Sequence, residues 1–462
     1  MIEPLYKFKL YFPITKAFAI TKILYNWGKA HLILSKKKSL NIEYREEIEK
    51  ELAKVYWALD LINKLNLISI WDLVFTKKKR YTKEEARAYF YSILPKLEKL
   101  ADQYEKQILA KLENKKYKIE KIKIDWQKIL AYKEYLENKL EYLNAIEYSF
   151  KKGVILMVRG YIPKRSLNEL VDLLKDKPVI LEIKEAKEGP TLLNNPPIVR
   201  DFEYLIELFS IPNYKEKDPT LYIALFFPIF YAITFADMGY GLLSLVFTLL
   251  LKRYFDNTNN KKLFTILLVS SLISIFVGFV FGSLFTYPIS NGLNIQDPLI
   301  LLGLPIAIGV IHLTIASILG KKVFELIAIP LIGYITICLL LKMPINNIIV
   351  YAFAPLIIYS IWKNRLQFYS PFLELLSKLL SYIRLTALAL ATNILQIALT
   401  SIFPNPIKIV AIPFIILFNF ILSILSGFIH SLRLHYVEAF SLFFQGNGIK
   451  YKPFRPKKEW LK

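Results

Sequence analysis

Acidic side chains nearly vanish from the second half of this chain. Beyond residue 220 only seven Asp and Glu remain beside 19 Lys and Arg, whereas the first 220 residues hold 31 and 42. Cysteine is rarer still: Cys338 stands alone in an apolar run, which excludes an intrachain disulfide and a cysteine metal cluster. His31, His312, His430 and His435 make no HxxxH or similar ligand spacing, so no metal is expected. Neither GxxxxGK[ST] nor GxGxxG occurs, which removes the usual backbone cradles for ATP and dinucleotides; no cofactor and no catalytic site are expected. Lys7, Lys9 and Lys16 interrupt any early apolar run, so no secretory signal is expected. The net charge of +23 does not point to nucleic acid. Basic residues mingle with acids on helices in the first half and gather beside apolar runs in the second, where anionic lipid headgroups would hold them.

What is present is a division into a charged, water-exposed half and an apolar half. The second contains runs near the roughly 20 apolar residues that cross a bilayer, at 221–236, 238–250, 263–285, 299–319, 326–341, 348–362, 372–403 and 409–440. That is about eight transmembrane helices. The first two are short and share a break at Asp237-Met238-Gly239, so one long span is the alternative; the last two are long enough to tilt strongly. Lys252, Arg253, Lys261, Lys262, Lys321, Lys322, Lys363 and Arg365 fall in loops on one side and Lys342 and Lys408 on the other. By the positive-inside rule both termini face the cytoplasm of a multi-pass cell-membrane protein.

Alternation and 3.6-residue periodicity predict strand, helix, strand over 5–12, 16–27 and 30–34, then helices at 42–65 and 82–114, the latter opened by a Thr82/Glu85 capping box. A strand at 117–124, a helix at 126–150, a strand at 153–162, a helix at 166–174 and a strand at 179–184 follow. The fold expected is mainly α. A cytoplasmic arm over 1–218, a helical hairpin with a small α/β lobe at each end, precedes a transmembrane domain over 219–445 and a basic cytoplasmic tail over 446–462.

Two arginines lie inside the last two apolar runs, Arg384 and Arg433. A charge held at bilayer depth costs from about 2.5 to well over 10 kcal/mol, so retaining two makes ion handling the leading functional expectation. Residues 3, 4 and 7 apart share a helix face. Ser377, Ser381, Arg384, Ala387 and Ala391 therefore form one stripe; Thr386, Asn393, Gln396 and Thr400 form another on roughly the opposite face; Asn419, Ser423, Ser426, His430 and Arg433 line the last run. Such stripes imply two aqueous paths, one from each side, separated by a guanidinium that stays charged where a lysine would neutralise. An ionisable carboxylate deep in the membrane is missing, and a partner would supply it. Glu374 lies near the boundary and can pair with Lys378 at i,i+4. Arg433 either lines the cytoplasmic path or snorkels to headgroups. His312 is either an interhelical hydrogen-bonding group or a relay. Asp237 is either part of a buried network or an ion ligand.

These residues also resemble a family. Residues 190–200, Phe202-Glu203, Ile211 to Tyr214, Asp218-Pro219, Phe227-Pro228 and Asp237 to Gly241 look like the entry into the membrane domain of the a subunit of V-type and archaeal A-type ATPases, called subunit I in archaea. Ser381-Tyr382-Ile383-Arg384-Leu385 is similar to that family's penultimate span around its essential arginine. His430-Ser431-Leu432-Arg433-Leu434-His435-Tyr436-Val437-Glu438 with Gly446 to Gly448 resembles its last span and tail. Thr386, Thr392, Ser423 and Ala236 stand where many members carry Trp, His, Glu and Gly, and the arm is shorter than usual. The resemblance implies an ion-conducting stator without catalysis of its own. Rotor-ring proteolipids would carry the carboxylate opposite Arg384, peripheral-stalk subunits would hold the arm, and the catalytic head would be reached indirectly. Glu438 joins the ion path on the same ground. The competing reading, a stand-alone secondary transporter, calls for paired broken helices and internal repeats, and only the break near Asp237 answers to that. Protons and sodium are not distinguished by this chain.

Overall fold

The computed structural model describes residues 1–42, 44–68, 78–112, 124–255, 261–285, 287–288, 298–344, 351, 353–364 and 369–462. The strand expected over 117–124 and the start of the span expected over 348–362 lie outside them. The chain forms two compact units, one of residues 3–192 with 450–462 and one of residues 1–2 with 193–449.

In the first unit, strand β1 (Leu5–Pro13) buries Phe8, Leu10 and Phe12 at the two-residue spacing of one sheet face. Helix Ala17–Trp27 ends at Gly28, whose φ of 70° closes the turn into β2 (His31–Ile33). Farther along come β3 (Phe150–Lys152), β4 (Ile155–Pro163), helix Leu167–Leu174 and β5 (Ile180–Glu185). The two expected α/β lobes are in fact one sheet, ordered β2-β4-β1-β5 with β3 pairing β4, and β1 running antiparallel to both β4 and β5. The cause is a shared core: Phe8, Leu10 and Phe12 pack with Leu156, Val158 and Ile162. An isolated pair of strands would have been marginal in water. Strand, helix and strand recur in each half, and the strand order is that of a split βαβ fold. A Cβ on Gly160 would lie 2.4 Å from the His31 carbonyl oxygen, so β2 can lie against β4 only over a glycine.

Between β2 and β3 run helices Tyr44–Lys64, Lys83–Leu112 and Trp126–Glu147. Ile48, Leu52, Val55 and Ile62 meet Ala86, Phe90, Ile93, Leu97 and Leu100 at alternating three- and four-residue spacing, the pattern of a helix-packing seam. The Thr82 and Glu85 side chains cap each other's backbone N–H at 3.3 and 3.1 Å. Tyr91 and Tyr132 hydroxyls each donate to the Glu51 carboxylate at 2.7 Å. Burial alone would raise the Glu51 pKa, but these bonds hold it below the usual value. Residues 450–462 return to this unit. The Phe454 N–H donates to the Ala30 carbonyl at 2.6 Å, Tyr451 Oη donates to the Tyr161 carbonyl at 2.9 Å, and Trp460 meets Trp126 edge-on at 5.5 Å.

Among the described residues of the second unit, five helices are long and apolar enough to cross a membrane: Lys261–Phe281, Gly303–Gly320, Val323–Leu340, Ser370–Ile402 and Ile409–Phe443. Thr220–Phe235 is apolar but shorter. The first two expected runs are separate helices, Thr220–Phe235 and Met238–Phe255, broken at Ala236, whose φ is 46°. Asp237 fixes the break. Its Oδ1 accepts the N–H groups of Gly239, Tyr240 and Phe285 at 2.8, 3.1 and 2.9 Å, and the residue is wholly buried. That is an N-cap and a tether to a distant loop in one side chain. Small residues let the next helix lie close: a Cβ on Gly278 would sit 2.1 Å from the Met238 nitrogen, and Ser244 and Ser271 hydroxyls meet at 2.7 Å.

Candidate functional site

The penultimate span is not one continuous α-helix. Helix Ser370–Leu380 gives way at Ser381 and Tyr382 to helix Ile383–Ile402. Across the joint the bonding tightens to three-residue steps: the N–H groups of Tyr382, Arg384 and Leu385 donate to Leu379, Ser381 and Tyr382 carbonyls at 3.1, 3.4 and 3.1 Å. Arg384 therefore sits just past a short 3₁₀ segment, a form that in mid-helix often marks a hinge. In the last span, helix Asn405–Arg433 passes directly into a π-helical turn, Leu434–Ala439. Each arginine flanks an irregularity.

On the Arg384 stripe, Glu374, Ser377, Ala387 and Ala391 are exposed in this chain, while Ser381 and Arg384 are half-buried. Glu374 pairs with Lys378 at 2.7 Å, and Ser381 donates to the Ser377 carbonyl at 3.0 Å. Arg384 makes no hydrogen bond or ion pair among the described residues, and Arg433, which is exposed, makes none either. Both lie within electrostatic reach of His430 and Glu438, and Ser381 stands beside the Glu438 carboxylate. Glu438 is 3% exposed, and its Oε2 has no hydrogen-bond partner among the described residues. Arg384, Arg433, His430, Glu438 and Ser381 are thus one cluster.

The opposite stripe faces inward. Thr386 is buried, and Gln396 accepts from the Tyr240 hydroxyl while donating to the Phe285 carbonyl at 2.9 Å, tying three segments together. Asn419 donates to the Thr392 carbonyl at 3.3 Å. Oxygens of Asn393 and Asn419 are buried without partners; Ser423 is buried and Ser426 half-buried. Of these groups, Asn419 joins the last span to the penultimate one, whereas Gln396 reaches Tyr240 and Phe285. His312 is fully buried, its Nδ1 hydrogen-bonded to the Tyr382 hydroxyl at 2.5 Å, and its ring meets that of His435 at 4.8 Å. Tyr382 and His435 were absent from the sequence-derived site; the signal for Tyr382 was its place two residues before Arg384.

Residues 14–291 and 372–455, which include the whole arginine cluster, match the sequence profile described as the V-type ATPase 116 kDa subunit family. The chain belongs to that family. Among its relatives is the A-type ATP synthase subunit I of Pyrococcus abyssi, 29% identical over 389 residues, covering 72% of this chain and 59% of the relative. The subunit I of Archaeoglobus fulgidus is 29% identical over 427 residues, covering 72% and 63%. That of Methanocaldococcus jannaschii is 27% identical over 450 residues, covering 80% and 62%. The chain therefore spans about three fifths of the length of the curated relatives it matches.

Proposed function

We propose that this chain is the membrane stator subunit of an A/V-type rotary ATPase, coupling proton or sodium movement to ATP synthesis or hydrolysis. The observation that carries this reading is Arg384: it makes no hydrogen bond or ion pair among the described residues and is set on a helix face whose next members, Ala387 and Ala391, are exposed. A guanidinium keeps its charge in apolar surroundings, and small residues let another helix come close. A rotor-ring proteolipid helix bearing a carboxylate is the matching partner. An ion enters one half-channel, neutralises that carboxylate and leaves by the other after the carboxylate meets Arg384. Ser377, Ser381, Glu438 and His430 belong to the path near the arginines; Asn393, Gln396, Ser423 and Ser426 belong to the other polar stripes of the last two spans. Asp237 and His312 shape the frame around both.

In this reading about eight helices cross the membrane, both termini are cytoplasmic, and residues 1–218 form the arm that peripheral-stalk subunits hold against torque. The names of the relatives, A-type ATP synthase subunit I, support the assignment to such a complex. Purification in mild detergent followed by mass analysis tests it. Small proteolipids, stalk subunits and catalytic subunits should co-purify; isolation of a self-sufficient protein that transports a solute when reconstituted alone refutes it.

A further inference from the structure

Tyr382 and Arg384 are two residues apart, so on a helix their side chains point about 200° from each other. Tyr382 is wholly buried while Arg384 is half-buried, and whatever holds Tyr382 sets the direction of Arg384. Besides an edge-on contact with Phe230 at 5.7 Å, two contacts from one helix hold Tyr382. Its ring lies so flat against the helix Pro298–Gly320 that a Cβ on Gly309 would come within 2.7 Å of it. Its hydroxyl meets His312 Nδ1 at 2.5 Å, three residues along that same helix.

His312 is itself caged. Tyr222 stacks on it at 4.6 Å, Phe226 and Phe230 present their rings at 4.6 and 4.8 Å, and His435 crosses it at 4.8 Å. Tyr222 Oη also donates to the His312 carbonyl at 2.9 Å. Tyr222, Phe226 and Phe230 follow one another at four-residue spacing, so one face of helix Thr220–Phe235 supplies three walls. The helix that supplies this cage is unbroken, whereas the penultimate span is interrupted. The joint at 381–382 has three-residue bonding, and rotation there would swing Arg384 around the helix axis.

We propose that His312 is a positioning residue for Arg384, acting through the Tyr382 hydroxyl to fix the azimuth at which the guanidinium meets its partner. This rests on the stator reading. Displacement of a reacting group by about 1 Å can cost on the order of a hundredfold in rate, so a single lost hydrogen bond at the joint is expected to show in coupling.

The test uses the whole complex in membrane vesicles, with subunit content and thermal stability measured beside gradient-driven ATP synthesis and passive ion leak. Tyr382→Phe keeps the ring packed on Gly309 and removes only the hydroxyl. Together with His312→Leu, it should cut synthesis about tenfold and raise leak while the complex stays assembled. The double variant should be no worse than either single one, because both break the same bond. His312→Asn, whose amide can occupy the place of Nδ1, should recover most of the synthesis. Additive losses, no recovery with Asn, or losses that merely track thermal stability overturn the positioning role. Arg384→Ala separates the two ideas. If it abolishes synthesis while Tyr382→Phe and His312→Leu couple normally, the positioning proposal alone fails; if it too couples normally, the stator reading fails and takes the proposal with it.

Discussion

Replacing Arg384 by alanine tests the charge itself. At 1.5 Å per residue, Arg384 lies about 21 Å from Ser370 and about 27 Å from Ile402, near the middle of that apolar helical segment. Because the side chain makes no hydrogen bond or ion pair among the described residues and a charge in apolar surroundings is costly, its loss should not destabilise the fold. In the stator reading, its attraction for an arriving rotor carboxylate is large. Two unit charges 4 Å apart at an effective dielectric of about 20 attract by about 4 kcal/mol. At about 1.4 kcal/mol per tenfold, that is up to three decades in the step that discharges the carboxylate, less whatever desolvation offsets. Gradient-driven ATP synthesis in vesicles holding the intact complex should therefore fall by two to three orders of magnitude with subunit content unchanged. Arg384→Lys should fail nearly as badly, since lysine lacks the planar fork and can lose its proton when desolvated. Near-normal synthesis in an assembled Arg384→Ala complex refutes this account of the arginine.

Three further outcomes are expected. With Cys338 replaced by serine, single cysteines at Lys321 and Met343, both exposed, should react with a membrane-impermeant thiol reagent from opposite faces of sealed vesicles; labelling from one face overturns the topology. In the first unit, burial lowers the His31 pKa below 6.5, aided by the Lys452 charge against an opposing backbone hydrogen bond. The Lys452 N–H approaches Nδ1 at 2.9 Å. An imidazole held neutral by the fold binds fewer protons than the unfolded chain, so its contribution is complete above about pH 6.5 and is lost as pH falls below it. Hydrogen-exchange protection at residues 450–455 should thus fall between pH 7.5 and 5, and His31→Gln should flatten the profile; equal pH dependence in both proteins contradicts the assignment. Gly278→Ala would place a methyl 2.1 Å from the Met238 nitrogen and 2.4 Å from the Asp237 carbonyl carbon, where backbone must yield. A loss of about 1 to 3 kcal/mol, read as a lower melting midpoint in detergent, is expected, and an unchanged midpoint counts against tight crossing of these helices.

Periodicity sufficed wherever the determining residues were neighbours in sequence. The Thr82/Glu85 cap, the helical seam at 86, 90, 93, 97 and 100, and the long apolar runs are all local patterns and are all present in the fold. The union of β1 with β4 pairs Leu5 with Pro163 across a three-helix insertion, and no local signal distinguishes one shared sheet from two small ones. The return of residues 450–462 was equally hidden, because their affinity for the first unit comes from backbone amides as much as from side chains. At the site, the spacing rules found Arg384 and its stripe. They assume uniform winding, so they missed Tyr382, held by His312 from another helix, and the effect of the π turn on Glu438.

That turn changes what the last span offers. On an α-helix, residues five apart point about 140° from each other, whereas the wider π winding, with its i→i+5 bonds, brings them toward one side. Glu438 lies in the π turn five residues after Arg433, buried beside Ser381 and within electrostatic reach of both arginines. Had the carboxylate closed on Arg384 as an ion pair, the open face would be neutral and an arriving acid would have to displace it. No such pair forms, and two guanidiniums stand against one carboxylate, so the cluster keeps a net positive charge. In the stator reading this balance matters more than either arginine alone. Glu438 gives the arginines a partial counter-charge that lowers the cost of holding them in apolar surroundings, while the uncompensated charge remains on the helix face where Ala387 and Ala391 let another helix come close.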